Sequence, residues 1–223
     1  MKLRTPFLII LAVIIADQAL KVWIKTHYML HQSTHLFGAD WAQLYFVENE
    51  GMAWGMAFGG AWGKMLLTLF RLGAVIFGTW YIKRIVREKY TRGFIICAAL
   101  IYAGALGNLL DSMFYGMIFN ESTGQVAQFL PKGGGYAGFL HGKVVDMFYF
   151  PMFRGNWPTW VPFVGGSDFL FFSAIFNIAD AAISVGVISL ILFQKRFLQR
   201  EQPEQPRTEF TDTPERTESS EVV

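Results

Sequence analysis

Long apolar runs separated by polar stretches dominate the sequence. Four of these runs approach the roughly 20 apolar residues that a helix needs to cross the hydrocarbon core of a membrane. They are Phe7 to Ile24, Trp62 to Ile82, Gly93 to Leu110 and Phe169 to Phe193. The pattern predicts an all-α membrane protein built on four transmembrane helices.

The overall composition supports a membrane protein. The chain is 53% hydrophobic and 17% aromatic, which is too apolar for an ordinary soluble domain of this length. Its net charge is only +2, and the basic residues stand in short clusters beside apolar runs, so nucleic-acid binding has no support. Cys97 is the single cysteine, which excludes an intramolecular disulfide and a multi-cysteine metal site.

The basic clusters predict the orientation of the helices. They lie before the first span, between the second and third, and after the fourth: Lys2, Arg4, Lys83, Arg84, Arg87, Lys89, Arg92, Lys195, Arg196 and Arg200. By the positive-inside rule, both termini and the middle link are cytoplasmic. The long connections, residues 25–61 and 111–168, then face outward. Residues 1–200 form the transmembrane domain in this prediction, and the acidic, proline-containing stretch 201–223 forms a disordered cytoplasmic tail.

The first span and the connection after it have further local signals. Asp17 and Lys21 interrupt the first apolar run and no clean small-x-small site follows, which favours an uncleaved helix over a signal peptide. Between Trp41 and Phe58, partly alternating apolar residues lead into a glycine-containing stretch. This pattern predicts a short outer strand with a tight glycine turn.

Carboxylates within the predicted spans need a functional explanation. An ionised carboxylate at the centre of a spanning helix costs about 3 kcal/mol on insertion scales, so each is a candidate site residue. Asp17 lies in the first span, Asp111 ends the third, and Asp180 lies in the fourth with Asn177 one turn earlier on the same helical face. Asp146 precedes an aromatic run that can return the outer connection to the membrane surface. We expect these four carboxylates to converge near the outer leaflet.

Paired carboxylates suit one kind of chemistry. Two carboxylates in one low-dielectric site cannot both ionise at low cost, so the pair holds a single proton near neutral pH and titrates as a unit. The ionised member can deprotonate an attacking water while the protonated member polarises a peptide carbonyl. This is aspartic proteolysis, which requires neither a metal nor a covalent acyl-enzyme.

Simpler explanations stay open for some of these residues. Asp17 and Lys21 have the i, i+4 spacing of an intrahelical ion pair, and Asp111 can be a solvated helix end. Asp180 is the hardest to explain structurally, because its helix carries no basic residue within a turn.

Other kinds of site and function have weaker support. His27, His31 and His35 are spaced like zinc ligands on one helix, but Ser33 and Thr34 interrupt a helix there, which favours juxtamembrane surface positions. A proton-coupled transporter also places acids within spans, but these four spans have no obvious internal repeat. A non-catalytic membrane scaffold would not explain the buried acids.

Five motifs, in order along nearly the whole chain, resemble the lipoprotein signal peptidase family, also called signal peptidase II. They are Asp17 with Lys21, Asn49-Glu50-Gly51-Met52-Ala53-Trp54-Gly55, Gly104-Ala105-Leu106-Gly107-Asn108-Leu109-Leu110-Asp111, Val144-Val145-Asp146-Met147, and Phe176-Asn177-Ile178-Ala179-Asp180. The resemblance implies that Asp146 and Asp180 are the catalytic aspartates. It implies that the other matching polar positions support the site and bind substrate: Asp17, Lys21, Asn49, Gly51, Asn108, Asp111 and Asn177.

The resemblance also implies a fold, a reaction and partners. The family fold has four transmembrane helices, a small periplasmic β-cradle and an amphipathic periplasmic helix. The reaction removes signal peptides from diacylglyceryl-modified prolipoproteins by cleavage before the lipidated cysteine, without a cofactor or metal. Globomycin-type cyclic peptides inhibit it. The implied location is the bacterial inner membrane, among its lipids, with the active site toward the periplasm.

Two features depart from the family pattern. Ser112 follows Asp111 where most members have arginine, and the stretch from 113 to 143 is longer than expected and contains three consecutive glycines.

Arg71 lies inside the second span, at a predicted depth close to that of Asp17, and its buried charge requires a partner. We expect Arg71 to replace the missing arginine in space by pairing with Asp17 or Asp111. The alternative is that it reaches toward lipid headgroups or water.

Overall fold

Four long helices form the body of the protein. The structure is a computed structural model that describes residues 3–50 and 60–197. Its helices are α1 (Arg4–His27), α2 (Gly60–Arg87), α3 (Arg92–Leu110) and α4 (Ile178–Phe197). All four are long and apolar enough to cross a membrane, which confirms the predicted four-helix fold.

Six short strands lie in the connections between α1 and α2 and between α3 and α4. They are β1 (Ser33–His35), β2 (Gln43–Asn49), β3 (Val144–Tyr149), β4 (Phe153–Asn156), β5 (Asp168–Phe171) and β6 (Ile175–Phe176). An antiparallel sheet has the strand order β1-β2-β3-β6, and β4 pairs with β5 in a separate hairpin. Strand β2 confirms that a strand follows Trp41, and its predicted position on the outer side of the membrane stays a prediction. The predicted glycine turn and Gly51 lie outside the described residues, as does the acidic tail.

The described outer segments are built from strands and irregular turns. Residues 28–50 and 119–177 contain no helix beyond the 3-10 turn Leu36–Gly38. The amphipathic periplasmic helix implied by the family resemblance is therefore not found in these segments.

The fourth span begins later in the chain than predicted. Helix α4 begins at Ile178, not at Phe169, because the aromatic and β-branched residues before it form β5 and β6. Asn177 therefore precedes the helix, and Asp180 lies in its first turn. The expectation that these two side chains share a helical face was wrong. They meet at the beginning of the helix instead.

Helix α3 lies at the centre of the bundle and packs against the other three helices. Glycines allow this close approach. A Cβ atom on Gly107 would lie 2.9 Å from Oδ2 of Asp17 and 3.2 Å from Cβ of Ala179, and one on Gly104 would collide with the backbone of Ala179. Both glycines therefore allow α3 to pack closely against its neighbours. The third apolar run also extends past Asp111, through a π-helical turn (Asp111–Tyr115) to Ile118.

A buried apolar cluster joins the sheet to the ends of α1 and α3. Its members lie at the end of α1, in or after the helical turns that follow α3, in the sheet and in the connection before β3: Ile24, Tyr28, Phe46, Tyr115, Phe119, Ala127, Val145 and Met147. Val145 and Met147 flank Asp146 on β3. The cluster therefore holds the strand that carries one of the proposed catalytic aspartates against the outer end of the bundle.

The three histidines do not lie on one helix. His27 ends α1, His31 lies in a turn with a positive φ of 68°, and His35 ends β1, where it pairs with Asp40. No group of three potential metal-ligating side chains occurs among the described residues. The surface interpretation of these histidines is therefore the better one.

Candidate active site

Asp146 lies on β3, with its side chain almost fully buried. The side-chain amide of Asn177 donates a hydrogen bond of 2.7 Å to its Oδ1, and that of Asn49 donates one of 3.3 Å to its Oδ2. The pKa of Asp146 is raised to about 7. Burial is the larger cause of this rise, and the nearby negative charge of Asp180 is the second. This carboxyl can therefore bind and release a proton near neutral pH.

Asp180 lies in the first turn of α4, where it is half-buried. Its Oδ2 accepts a hydrogen bond of 3.4 Å from the backbone N–H of Asn177, and its own N–H donates one of 2.9 Å to Oδ1 of Asn177. This reciprocal arrangement is a capping box, which satisfies backbone donors at the helix start. Asn108 donates a further bond of 2.7 Å to Asp180 Oδ1. The local sequence thus orients the carboxylate.

Asn177 connects the two aspartates. Its side-chain amide donates to Asp146, while its side-chain oxygen and backbone N–H bond to Asp180. The same amide lies within hydrogen-bond distance of the backbone oxygen of Val145 and of Oδ1 of Asn108. Asn177 is fully buried, so these bonds are shielded from water. The two carboxylates predicted to form a pair therefore share one rigid support.

A buried lysine forms ion pairs with both of the remaining acids. Lys21 Nζ lies 2.9 Å from Asp17 Oδ2 and 2.8 Å from Asp111 Oδ2, and it donates a 2.9 Å hydrogen bond to Asn108. The three charged side chains are at most 1% exposed. The ion pair between Asp17 and Lys21 is present, but it is part of a larger buried network. Asp111 is not a solvated helix end.

Each of these paired acids also holds the chain beside one of the proposed catalytic aspartates. Asp17 Oδ1 accepts a 2.9 Å bond from the backbone N–H of Ala179, the residue before Asp180. Asp111 Oδ2 accepts a 3.3 Å bond from the backbone N–H of Val145, the residue before Asp146. The network around Lys21 therefore fixes α4 and β3 relative to each other, and with them the two carboxyl groups.

Gln18 completes this network, and the sequence analysis missed it. Its side-chain nitrogen lies 2.8 Å from Asp111 Oδ1 and 3.1 Å from Asp17 Oδ2, and its side-chain oxygen accepts a bond from Tyr115. The sequence did contain a signal for this role, because Gln18 is a polar residue inside an apolar span and stands next to Asp17.

Arg71 lies beside the position where most family members have arginine. Its Nη1 donates a 3.2 Å hydrogen bond to Oγ of Ser112, and that hydroxyl donates a 3.0 Å bond to the backbone oxygen of Asn108. Arg71 reaches this point from α2, a different helix. The structure thus brings the guanidinium of Arg71 to Ser112, and its proposed role at the site stays a prediction.

The electrostatic environment of Arg71 differs in part from the expected one. Lys21, not Arg71, forms the close ion pairs with Asp17 and Asp111. The positive charge of Arg71 is also near enough to attract the carboxylates of Asp180, Asp111 and Asp146. The guanidinium is thus near both members of the proposed catalytic pair and one of the supporting acids.

A second polar cluster anchors the long outer stretch. Lys25 pairs with Glu48 of β2 and donates a 2.8 Å hydrogen bond to Ser122. Glu48 also accepts a 2.7 Å bond from Ser122, and Lys143 pairs with Glu121 at 3.2 Å. These contacts fasten both ends of the segment 121–143 beside β2. The adjacent residue on β2 is Asn49, which contacts Asp146.

Comparisons with known proteins identify the family of the chain. The family model described as signal peptidase (SPase) II matches residues 9–196. The lipoprotein signal peptidase of Porphyromonas gingivalis is 47% identical over 189 residues, which cover 84% of this chain and 81% of that protein. The lipoprotein signal peptidase of Amoebophilus asiaticus is 32% identical over 92% of this chain and 84% of its own length.

Solved structures support the fold. Two structures of bacterial membrane enzymes, solved at 2.3 Å and 1.9 Å resolution, match with TM-scores of 0.55 and 0.56, each at 24% identity. They cover 91% and 87% of this chain, and the matches include 96% and 94% of the solved chains. On the evidence of the family match and of these relatives, the chain belongs to the signal peptidase II family.

Proposed function

We propose that this membrane protease removes signal peptides from diacylglyceryl-modified prolipoproteins by aspartic catalysis at Asp146 and Asp180. The curated relatives are named lipoprotein signal peptidases, which supports prolipoproteins as the substrates. The observation that supports the catalytic type most strongly is the bridge of Asn177 between the two carboxylates. Nothing supports the transporter alternative, since the family match is to a peptidase.

In the proposed mechanism, the pair begins the reaction with one proton. The ionised carboxylate takes a proton from a water molecule, whose oxygen attacks the carbonyl carbon of the scissile peptide. The protonated carboxyl donates a hydrogen bond to the carbonyl oxygen and stabilises the developing negative charge. The tetrahedral intermediate then collapses, the C–N bond breaks, and the amine leaves with a proton from the pair. Cleavage before the lipidated cysteine follows from the family resemblance.

The substrate assignment is tested with a matched pair of prolipoproteins. We expect the purified protein to cleave a diacylglyceryl-modified precursor immediately before its cysteine, and to leave the unmodified precursor intact. Mass spectrometry of the products locates the bond, and globomycin should inhibit the reaction. Equal cleavage of both precursors would contradict the proposed substrate class.

The pH dependence of cleavage should reflect the shared proton. Because the pKa of Asp146 is raised to about 7, the pair loses its proton as the pH rises through neutrality, and activity should fall on this alkaline limb. The hydrogen bond from Asn49 stabilises the ionised carboxylate and so lowers this pKa. Asn49→Ala should therefore shift the alkaline limb upward by about one pH unit.

The matched control is Asn156→Ala, in the outer hairpin, where Asn156 bonds to Asp168. This variant should keep the wild-type profile. A profile for Asn49→Ala that is unshifted, or shifted downward, would contradict the proposed role of this hydrogen bond.

Arg71 is proposed to order the site from α2. Arg71→Leu should reduce the cleavage rate about 100-fold, because small displacements of catalytic groups have effects of this size. Adding Ser112→Arg should recover a measurable part, since it returns a guanidinium to the same place. Arg87→Leu, at the far end of α2, is the control. Normal cleavage by Arg71→Leu, or no recovery in the double variant, would remove Arg71 from the site.

The charge pattern supports a proposed orientation with both termini cytoplasmic and the site toward the periplasm. Single cysteines in a Cys97→Ser background test this orientation. An impermeant maleimide added to spheroplasts should label positions 41 and 134, and should leave position 87 and the tail after residue 201 unlabelled. Labelling at position 87 would reverse the proposed orientation.

A further inference from the structure

An apolar groove of about 560 Å³ lies between α1 and α2, with α3 forming part of its wall. Ile10 and Ile14 line it from α1, Ile82 from α2, and Leu106 from α3. This volume is within the range of small-molecule binding sites. The groove opens at the end of the bundle opposite the active site, since Arg4 is about 20 Å along α1 from Asp17 at 1.5 Å per residue, and it runs from there toward Ile14 and Leu106.

The polar groups in the groove wall satisfy each other. The hydroxyl groups of Thr79 and Tyr102 lie 2.8 Å apart in a hydrogen bond across α2 and α3. The remaining wall at this depth is hydrocarbon, so the groove offers water few partners inside a membrane. An apolar chain is the occupant that fits this surface.

The opening of the groove carries two positive charges. Arg4, at the beginning of α1, and Lys83, near the end of α2, both line it and both are exposed. The two residues lie at the same end of the bundle because the helices run in opposite directions. Basic residues between transmembrane helices at the membrane surface are the usual partners of lipid phosphate groups.

We propose that this groove is a binding site for an anionic phospholipid. One acyl chain lies along Ile10, Ile14, Ile82 and Leu106, and the phosphate binds Arg4 and Lys83. A signal peptide fits this groove less well, because its own basic beginning would lie against the same two cations. The site is separate from the catalytic carboxylates, and its occupancy does not depend on the proposed reaction.

Lipid selectivity of the purified full-length protein tests this proposal. Native mass spectrometry should show stronger binding of dioleoylphosphatidylglycerol than of dioleoylphosphatidylcholine. Each basic residue at an anionic surface contributes about fivefold, so Arg4→Gln with Lys83→Gln should reduce the preference about 30-fold. Ile10→Trp, which fills the groove without changing charge, should weaken binding of both lipids. Detergent-phase cleavage by the charge variant should equal that of the wild type.

The matched control is Lys195→Gln with Arg196→Gln, which removes two exposed charges from the same end of the bundle outside the groove. This control should keep the wild-type preference. If the control and the groove variant lost the preference for phosphatidylglycerol equally, general surface charge would explain the preference, and the proposal would be overturned. Displacement of bound lipid by a synthetic signal-peptide helix would assign the groove to substrate and also overturn it.

Discussion

Replacing either Asp146 or Asp180 by asparagine is expected to reduce cleavage by about 10⁴-fold, the upper end of the range for losing a general acid or base. Each substitution keeps the shape of the side chain but removes one member of the pair that shares a proton. Asn177 can still bond to an amide oxygen at either position, so we expect both variants to insert and fold. The measurement is the initial rate of cleavage of a diacylglyceryl-modified precursor, alongside the apparent melting temperature in detergent.

Asp40→Asn is the control for these two variants. Asp40 lies in the first outer connection with a fully exposed side chain. Its substitution makes the same chemical change far from the pair and should leave the rate unchanged. Substantial residual activity in Asp146→Asn or Asp180→Asn would remove that residue from the catalytic pair and direct attention to Asp17 or Asp111.

Lys21→Met should have the largest effect on stability. Removing this buried cation leaves the carboxylates of Asp17 and Asp111 uncompensated in the bundle, which costs about 3–5 kcal/mol for comparable buried pairs. The variant should melt at a much lower temperature and lose activity as α4 and β3 separate. Adding Asp17→Asn should restore part of the stability, because it removes one of the two orphaned charges.

The exposed Lys132 provides the control for this substitution. Lys132→Met should melt like the wild type, since a solvated lysine makes little contribution to stability. A wild-type melting temperature for Lys21→Met would contradict the role assigned to the buried network. A double variant no more stable than Lys21→Met alone would contradict the electrostatic explanation.

Hydropathy predicted the membrane spans because exposing polar side chains to lipid costs free energy. A spanning segment must therefore be apolar along its own length, and this can be read from the sequence. It misplaced the beginning of α4 because an apolar run is compatible with both a strand and a helix. The run Phe169-Leu170-Phe171-Phe172 is as apolar as the span that follows it, but its first three residues pair with β4 and the chain then continues to β6. Whether such an apolar run forms a strand or a helix depends on its pairing with another segment, and the residues of the run alone do not reveal that pairing.

The candidate site was also predicted only in part: the sequence identified many of its residues but not the contacts between them. The unusual cost of acids in apolar runs identified Asp17, Asp111 and Asp180 as site candidates, and motif resemblance added Asn49 and Asn108. The contacts between them depend on three-dimensional packing. Lys21 bonds to Asn108 on another helix, and Asn177 joins two segments through five polar contacts. The spacing of residues along the chain does not predict such contacts.

The most direct test of the aspartic mechanism is the cleavage rate of the purified wild-type protein on a diacylglyceryl-modified prolipoprotein after dialysis against a metal chelator. Water activated by the carboxylate pair requires no metal, so the account predicts that the chelator leaves the rate unchanged at each pH tested. Loss of cleavage in the chelator, with recovery on adding back a divalent metal ion, would contradict it.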